Sequence, residues 1–370
     1  MFNGTFRGRR VFITGHTGFK GAWLSEWLGT MGAEITGYAL GPPTQPNLFE
    51  AIHLGDRVRH VVADIRDSAR LSAEVSAAQP SVIFHLAARA LVRRAYDEPR
   101  ETFETNVMGT VNVLEAARAC PSVGAVVIVT SDKCYDNPET GHPFRETDPI
   151  GGRDPYGASK GGAELVTAAY RESFFRDGAG IASVRAGNVI GGGDWAPDRI
   201  IPDSVQALTA GQPVVVRNPD AIRPWQHVLE PLSGYLTLGA HMLADGRRYE
   251  GPWNFGPPDE AGDRPVRWVV ESFLSEWGSG SWTVPEDARR QPHEALRLSL
   301  DSSKAREQLG WASVWDGPTA VRGTASWYRE YYQAPADARD LVDGQLAAYQ
   351  ADAQRAGLAW ALGDEGGRPT

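Results

Sequence analysis

Lysine is scarce in this chain, which carries its positive charge almost entirely on arginine. Only four of the 37 basic residues are lysines, namely Lys20, Lys133, Lys160 and Lys304. An ammonium group can give up its proton when its surroundings lower its pKa, whereas a guanidinium effectively cannot. Each lysine is therefore a candidate for proton chemistry, although the sequence around Lys304 suggests none.

Cysteines and long apolar runs are also rare, and each shortage excludes a class of protein. Cys120 and Cys134 are the only cysteines, too few for a disulfide framework or a cysteine metal cluster, so we expect no metal. No apolar run approaches the roughly 20 residues of a membrane span. The net charge of −9 argues against nucleic acid or an anionic membrane as the main partner. We predict a soluble, cytoplasmic protein.

The first half of the chain alternates short apolar strands with amphipathic helices. We predict strands at 10–14, 34–40, 58–62, 81–88, 124–131 and 181–187. Short β-branched strands separated by helices indicate βαβ units and a buried parallel sheet. The predicted fold is α/β, a Rossmann-type doubly wound parallel sheet over residues 1–187, followed by a smaller C-terminal substrate-binding domain. That second part comprises mainly residues 188–370 and returns to the sheet around 226–240.

A glycine-rich turn, "TGHTGFKG" (14–21), follows the first strand. Glycines in a strand-to-helix turn permit a tight bend and let the backbone approach a pyrophosphate, which the helix N-terminus then attracts. The turn predicts a dinucleotide site formed by Gly15, His16, Thr17, Gly18, Phe19 and Gly21. His16 is expected to be either a phosphate neighbour or a modifier of a nearby pKa, with an ordinary solvated turn residue as the alternative.

The residues after the second strand favour NAD over NADP. The segment "YALGPP" (38–43) has no arginine to hold a 2′-phosphate, and it has no acid to bond a ribose 2′-hydroxyl. We therefore predict NAD as the cofactor, with Asp64 and Ile65, at the end of the third strand, near the adenine. A solvated loop acid is the alternative for Asp64.

A tyrosine and a lysine share one helix face in "DPYGASK" (154–160). Asp154 is a plausible N-cap and Pro155 suits the first helical position. Tyr156 and Lys160 are then spaced i, i+4 and lie side by side. A neighbouring ammonium lowers the pKa of a phenol, so the phenolate becomes available as a base.

Taken together, these motifs resemble the extended short-chain dehydrogenase/reductases. The resemblance covers nearly the whole chain and rests on the glycine turn, "HLAA" (85–88), "TNVMGT" (105–110), Ser131 and "YGASK" (156–160). It implies a catalytic set around a nicotinamide that consists of Ser131, Tyr156 and Lys160. It also implies further cofactor-site residues at Leu86, Ala87, Ala88 and Asn106.

Residues 131–133 select a branch within that family. Ser131-Asp132-Lys133 resembles the nucleotide-sugar 4,6-dehydratases that act on CDP-glucose. CDP-glucose is therefore the expected substrate. The resemblance also implies a homo-oligomer, a dimer or a tetramer. Five longer segments agree, at 15–24, 129–137, 186–195, 223–235 and 291–311. One departure is Arg89, where the family pattern has glutamine. Asn188 and Trp195 follow a predicted strand, at the edge where substrates bind, and are expected substrate contacts. The resemblance adds Arg199, Arg223 and His293, with an ordinary surface arginine as the alternative for the two arginines.

The implied reaction explains an acid beside a lysine at a strand end. Oxidation of the sugar at C4 acidifies the hydrogen at C5, and loss of water then needs a base at C5 and an acid at C6. The resemblance makes Asp132 the acid. Lys133 is either the base or a residue that orders the nicotinamide region.

Two other functions compete with this interpretation. The nearer one is another nucleotide-sugar dehydratase or a 4-epimerase of the same fold, and the pair Asp132-Lys133 argues against the epimerase. The more distant one is a non-catalytic dinucleotide-binding protein. A protein that only binds the cofactor needs the glycine turn but no base such as Tyr156.

Overall fold

The computed structural model describes residues 1–257, 263–286, 295–333 and 337–362. Its centre is a seven-stranded sheet. The strands are β1 (Arg10–Thr14), β2 (Glu34–Ala39), β3 (Arg59–Val62), β4 (Val82–His85), β5 (Ala125–Val129), β6 (Gly180–Ala186) and β7 (Gly251–Phe255). They lie in the order β7-β6-β5-β4-β1-β2-β3, and every neighbouring pair is parallel. The predicted Rossmann-type sheet is confirmed.

Strand β5 shows why the sheet is buried on both faces. All five of its residues are buried, and four of them are valine or isoleucine. Val127 and Val129 pack into one hydrophobic core, whereas Val126 and Ile128 pack into another. Side chains alternate between the faces of a strand, so helices must cover both sides, as in other parallel sheets.

Helices supply those two covering layers. Their bounds are Phe19–Thr30, Leu48–Ala51, Ser68–Ala78, Val92–Asp97, Pro99–Phe103, Gly109–Arg118, Pro155–Phe174, Ile200–Thr209, Leu229–Ala244, Val266–Trp277, Ser303–Leu309, Gly317–Gln333 and Ala338–Arg355. Between the helices Pro99–Phe103 and Gly109–Arg118 the chain forms a π-helical turn at Glu104–Met108, a feature frequent at functional sites. Within the described residues, no helix has the length and apolar character needed to cross a membrane.

The order of the strands places a crevice beside β1. This strand pairs with β2 on one side and with β4 on the other, so the connections after β1 and β4 leave in opposite directions. Ligands of open α/β sheets bind at the carboxyl ends of the strands at such a point. Strand β5 lies next to β4, which brings Ser131 to the same edge.

The chain beyond β6 builds short strand pairs above that edge. They are Val189–Ile190 with Gln226–His227, Ile222–Pro224 with Asp263–Pro265, and Val214–Val215 with Trp282–Thr283. The helix Leu229–Ala244 then packs against β5, and β7 extends the sheet beside β6. The second half of the chain therefore contributes the strand pairs above the crevice, and it also adds one helix and one strand to the sheet domain below it.

Candidate active site

The turn after β1 is shaped by two glycines that no other residue could replace without a clash. Gly15 has a φ of +79°, and a Cβ there would lie 2.6 Å from the backbone nitrogen of Ala87. A Cβ at Gly21 would lie 2.1 Å from the carbonyl oxygen of Gly15. Gly18 is the N-cap of the following helix, and no side chain caps that end. The uncapped N–H groups and the helix dipole are suited to a pyrophosphate.

His16 and Thr17 anchor this turn to the neighbouring strands. The His16 ring is fully buried, with Nε2 2.7 Å from Nδ1 of His60, and it packs where a Cβ on Gly37 would be only 2.3 Å away. Burial and the nearby His60 lower the pKa of His16 to about 3, so the ring is neutral at physiological pH. The alternative of a solvated turn residue is therefore wrong. The Thr17 hydroxyl donates to the carbonyl of Leu40 at 3.0 Å.

Strand β4 ends at His85, three residues before its predicted end, because the chain turns toward β1. The Leu86 N–H donates to the Thr14 carbonyl at 3.1 Å, and the Ala87 N–H donates to the Thr14 hydroxyl at 3.2 Å. The His85 ring lies 2.7 Å from the same hydroxyl. Leu86 and Ala87, with Ala88 following, thus lie across from the glycine turn.

Asn106, in the π-helical turn, joins two segments of the site. Its side chain accepts from the Arg89 N–H at 2.8 Å and donates to the Arg89 carbonyl at 3.1 Å and to the Ser159 hydroxyl at 2.8 Å. These bonds need only the backbone of Arg89. The Arg89 guanidinium instead pairs with Glu101 at 3.0 Å, so the departure from the family pattern leaves the asparagine contacts in place.

Asp64 and Ile65 follow β3, as predicted. The hydrogen bonds from the Arg66 guanidinium, the shortest at 2.6 Å, outweigh partial burial and lower the pKa of the Asp64 carboxyl. Ile65 is buried against Gly109, where a Cβ would lie 2.4 Å from its side chain. The contact of these residues with an adenine stays a prediction.

Ser131 and Asp132 begin a short 3-10 turn, Asp132–Cys134, directly after β5. The Ser131 hydroxyl donates to Oδ1 of Asp132 at 3.0 Å and accepts from the Lys133 backbone N–H at 3.2 Å. Asp132 is only 4% exposed. Burial raises the pKa of its carboxyl, although Lys133 and the Ser131 hydrogen bond act in the opposite direction. A raised pKa favours the protonated form of the carboxyl, which is the form that can act as a general acid.

Tyr156 opens the helix Pro155–Phe174, and Asp154 caps it by accepting from the Tyr156 N–H at 3.0 Å. Burial raises the pKa of Tyr156 to about 12, although a hydrogen bond with the Ser131 side chain acts against this. Burial also lowers the pKa of Lys160 to about 8, and its Nζ donates to the Val129 carbonyl at 3.0 Å. The shift of the phenol is opposite to the one predicted from the i, i+4 spacing, because burial outweighs the nearby positive charges.

A buried ion pair fixes the helix of Tyr156 against the sheet. Glu164 accepts from the Arg185 guanidinium at 2.7 Å and from the Ser183 hydroxyl at 2.7 Å. It also accepts from the hydroxyl of Thr130, the residue before Ser131. This network was not predicted, since no local pattern in the sequence connects a glutamate on a helix with an arginine on a distant strand.

These elements surround a cavity of about 290 Å³ at the carboxyl edge of the sheet. Its wall brings together seven of the predicted residues: Ser131, Asp132, Lys133, Tyr156, Asn188, Arg199 and Arg223. The Arg199 guanidinium pairs with Asp194 at 2.8 Å. Arg223 is 3% exposed and donates to the Ile222 carbonyl at 2.8 Å. Side chains from both halves of the chain thus meet in one wall.

One predicted substrate residue, Trp195, is not among the described residues that line this cavity. The Trp195 indole donates to the Tyr332 hydroxyl at 3.0 Å and packs against the rings of Trp327 and Tyr331. In the described part of the chain it therefore belongs to an aromatic cluster beside the site. His293 lies outside the described residues.

Lys20 lines the cavity and was not predicted as a site residue. It is the second residue of the helix Phe19–Thr30. Burial, together with Arg199 and Lys160, lowers the pKa of its ammonium to about 8, while Asp132 acts in the opposite direction. The only signal in the sequence was the scarcity of lysine.

The chain is similar to known proteins along most of its length. The family model described as GDP-mannose 4,6 dehydratase matches residues 12–324. A CDP-glucose 4,6-dehydratase from Salmonella typhimurium is 49% identical over 333 residues, which cover 88% of this chain and 92% of that protein. A dTDP-glucose 4,6-dehydratase from Streptomyces griseus is 28% identical over 328 residues, covering 87% and 94% respectively.

Solved structures show the same architecture. A crystal structure of a dTDP-glucose 4,6-dehydratase from Streptomyces venezuelae, with NAD bound, superposes with a TM-score of 0.73 at 26% identity and covers 87% of this chain and 97% of its own. A UDP-glucose 4-epimerase from Stenotrophomonas maltophila, also with NAD, gives a TM-score of 0.76 at 23% identity, covering 88% and 99%. The second likeness concerns the fold alone.

Proposed function

The chain belongs to the GDP-mannose 4,6-dehydratase family, and from this premise we propose that it is an NAD-dependent hydro-lyase that converts CDP-D-glucose to CDP-4-keto-6-deoxy-D-glucose. The observation that carries the proposal is a buried acid, Asp132, in one cavity wall with Ser131 and Tyr156. A 4-epimerase oxidises and re-reduces the same carbon, so it has no need of a proton donor for a leaving hydroxyl. A binding protein needs neither group.

The glycine turn fits a dinucleotide, because the space beside Gly15 and Gly21 admits no Cβ and the helix N-terminus beyond is uncapped. We propose that NAD binds with its pyrophosphate at this turn and its adenine near Asp64 and Ile65. When bound, NAD would supply the acceptor for a hydride from C4 of the sugar and the donor of that hydride to C6. The chain has to orient that cofactor and to move protons.

The proton transfers fall to the residues of the cavity wall. Tyr156 takes the proton of the C4 hydroxyl, with Ser131 hydrogen-bonded to it and Lys160 supplying positive charge nearby. The resulting ketone acidifies the hydrogen at C5. Asp132 then gives its proton to the C6 hydroxyl, which leaves as water.

Two arginines in the cavity wall are suited to bind the diphosphate of a nucleotide-sugar. We assign Arg199 and Arg223 to the diphosphate, since guanidinium groups bind phosphate oxygens in pairs. Asn188, in the same wall, is assigned to the sugar. Residues 188–370 therefore supply most of the nucleotide-sugar contacts in this proposal, with His293 as a further contact.

The outer face of the helices around Asn106 suggests an oligomer. Phe103, Met108 and Leu165 are 40%, 51% and 64% exposed on segments that pack together, and a second copy would cover them. We propose a homo-oligomer, which the Leu165→Glu variant should weaken in sedimentation experiments. A cytoplasmic location belongs to the same proposal, since Cys120 and Cys134 are free thiols.

The deciding experiment is a substrate panel. The wild type with NAD is incubated with CDP-glucose, dTDP-glucose, UDP-glucose and GDP-mannose, and products are analysed by mass for loss of one water. We expect CDP-glucose to react fastest with no net consumption of NAD, and deuterium placed at C4 to reappear at C6 of the same molecule. Faster turnover of dTDP-glucose refutes the assignment of the base. Epimerised sugar without loss of water favours the 4-epimerase.

A further inference from the structure

Three of the four lysines of this chain converge on one site. Lys20 and Lys133 line the cavity, and Lys160 lies beside Tyr156 and is close enough to Lys20 to influence its charge. The elimination requires a base for the C5 proton in addition to the acid Asp132. Arginines cannot serve, and the wall carboxylates Asp194 and Asp198 are paired with arginines. We therefore compare the two lysines of the wall, Lys20 and Lys133.

Their positions in the fold separate the two candidates. Lys133 leaves the same 3-10 turn as Asp132, and it is the charged group that acts most strongly on that carboxyl. Lys20 instead enters the cavity from the helix after β1, whereas Asp132 follows β5. Strand β4 lies between β1 and β5 in the sheet. A sugar in the cavity can therefore have Asp132 and Lys20 against different atoms.

We propose that Lys20 is a catalytic residue of the elimination, whose neutral amine removes the C5 proton while Asp132 protonates the leaving hydroxyl. This inference rests on the proposed function. Lys133 then acts on the Asp132 carboxyl and takes no part in removing the C5 proton.

The surroundings of Lys20 make its neutral form accessible. Burial lowers the pKa of Lys20 to about 8, and the positive charges of Arg199 and Lys160 act in the same direction. Asp132 and Asp194 are the acidic groups that oppose them. The positive end of the helix that carries Lys20 disfavours an ammonium, whereas a pyrophosphate at the same turn acts in the opposite direction. A base with a pKa close to the working pH combines a usable neutral fraction with sufficient basicity.

The step balances without any additional reactant. The C5–H bond breaks, its proton goes to Nζ of Lys20, and its electron pair forms the C5–C6 double bond. The C6–O bond breaks, and the departing oxygen takes the Asp132 proton and leaves as water. When C6 receives its hydrogen, the Lys20 ammonium returns a proton to C5. The proton that Tyr156 took from the C4 hydroxyl balances the one that Asp132 gave up.

The test compares Lys20→Arg and Lys20→Met with the wild type and with Lys133→Arg. The arginine keeps the positive charge but cannot become a base. In heavy water, the 4-keto-6-deoxy product is incubated with each holoenzyme, and entry of deuterium at C5 is followed by mass. Rapid mixing with CDP-glucose follows the absorbance of NADH. We expect both Lys20 variants to oxidise C4 but to exchange C5 and release water about 10²-fold more slowly or worse.

The pH profile gives a second readout. Exchange by the wild type should rise with pH and level off near the pKa of Lys20, about 8, and this rise should vanish in Lys20→Arg. If Lys20→Arg exchanges the C5 hydrogen at the wild-type rate, the proposal is overturned, because the positive charge alone then suffices. A loss of C5 exchange in Lys133→Arg but not in the Lys20 variants overturns it as well. If Lys20→Met fails to fold by circular dichroism, Lys20→Gln replaces it. A wild type that removes no water from CDP-glucose refutes the proposed function instead.

Discussion

The Ser131 hydroxyl donates a hydrogen bond of 3.0 Å to Oδ1 of Asp132, whereas Oδ2 of the same carboxyl is buried and has no hydrogen-bond partner among the described residues. A buried carboxylate oxygen without a donor is costly, and protonation relieves that cost. Because Asp132 lines the cavity, a proton on this carboxyl is within reach of a substrate hydroxyl. The arrangement of Ser131 and Asp132 therefore favours the protonated form of the Asp132 carboxyl at the cavity wall.

Replacing this acid should separate the two halves of the reaction. Asp132→Asn keeps the shape of the side chain but removes the proton donor, while Tyr156 and Ser131 stay in place. We expect the variant to form NADH when CDP-glucose is added and to release water about 10²-fold more slowly or worse. Rapid-mixing absorbance at the NADH band, with product analysis by mass, measures both steps. An equally steep fall in both steps would show that Asp132 supports the structure of the site instead.

Tyr156→Phe should instead block the first step of the reaction, the oxidation of the sugar at C4. The ring still packs, but the C4 hydroxyl loses its base, so we expect the maximal rate to fall about 10²-fold or more with the fold intact. Because burial raises the pKa of Tyr156 to about 12, C4 oxidation by the wild type should quicken as the pH rises toward that value. Stopped-flow formation of NADH over a pH series measures this. A folded variant with an unchanged rate would make Tyr156 a packing residue only.

The parts of the site that the sequence predicted depend on local patterns. Gly15 and Ser131 each follow a strand that can be recognised from its run of apolar residues. The carboxyl ends of parallel strands lie at the same edge of the sheet. Their proximity therefore follows from the fold class. The spacing of Tyr156 and Lys160 is likewise a property of any helix.

Other features depend on contacts between distant segments, which no local pattern reveals. The position of Trp195 after β6 suggested the cavity, but its indole bonds Tyr332, 137 residues away. The sign of the pKa shift of Tyr156 is set by burial, which a sequence does not quantify. Lys20 belongs to the predicted turn, yet only the structure shows its side chain in the wall beside Asp132.

The glycine turn offers a prediction with an internal control. Gly15→Ala places a side chain at a φ of +79° and 2.6 Å from the backbone of Ala87, so we expect a lower melting temperature and at least about tenfold weaker NAD binding. Gly29, later in the next helix, has no atom within 4 Å of an added Cβ. Gly29→Ala should leave NAD binding unchanged and stabilise the fold by about 0.5–1 kcal/mol. Calorimetric titration and thermal melts compare the two, and equal NAD affinity in both would contradict the proposed cofactor site.

The ion pair of Glu164 and Arg185 should be the most sensitive buried contact near the site. Glu164→Gln leaves the Arg185 guanidinium, whose side chain is 3% exposed, without its counter-charge, and such losses cost about 3–5 kcal/mol. The control is Glu74→Gln, which breaks an exposed pair with Arg59 and should cost less than about 1 kcal/mol. Urea unfolding followed by tryptophan fluorescence gives both free energies of unfolding. Similar costs for the two variants would show that the buried pair contributes no more than a surface one.

The same pair predicts how stability depends on pH. Burial alone would raise the pKa of the Glu164 carboxyl, but the hydrogen bonds and charge of Arg185 lower it below 4.5, the value of a free glutamate. The carboxylate therefore stabilises the folded state fully above about pH 4.5, and this contribution is lost as the pH falls through the lower pKa of the folded protein. We expect the wild type and Glu164→Gln to differ most in free energy of unfolding at neutral pH and to converge in acid. A difference that stays constant across that range would mean that lost packing, and not lost charge, destabilises the variant.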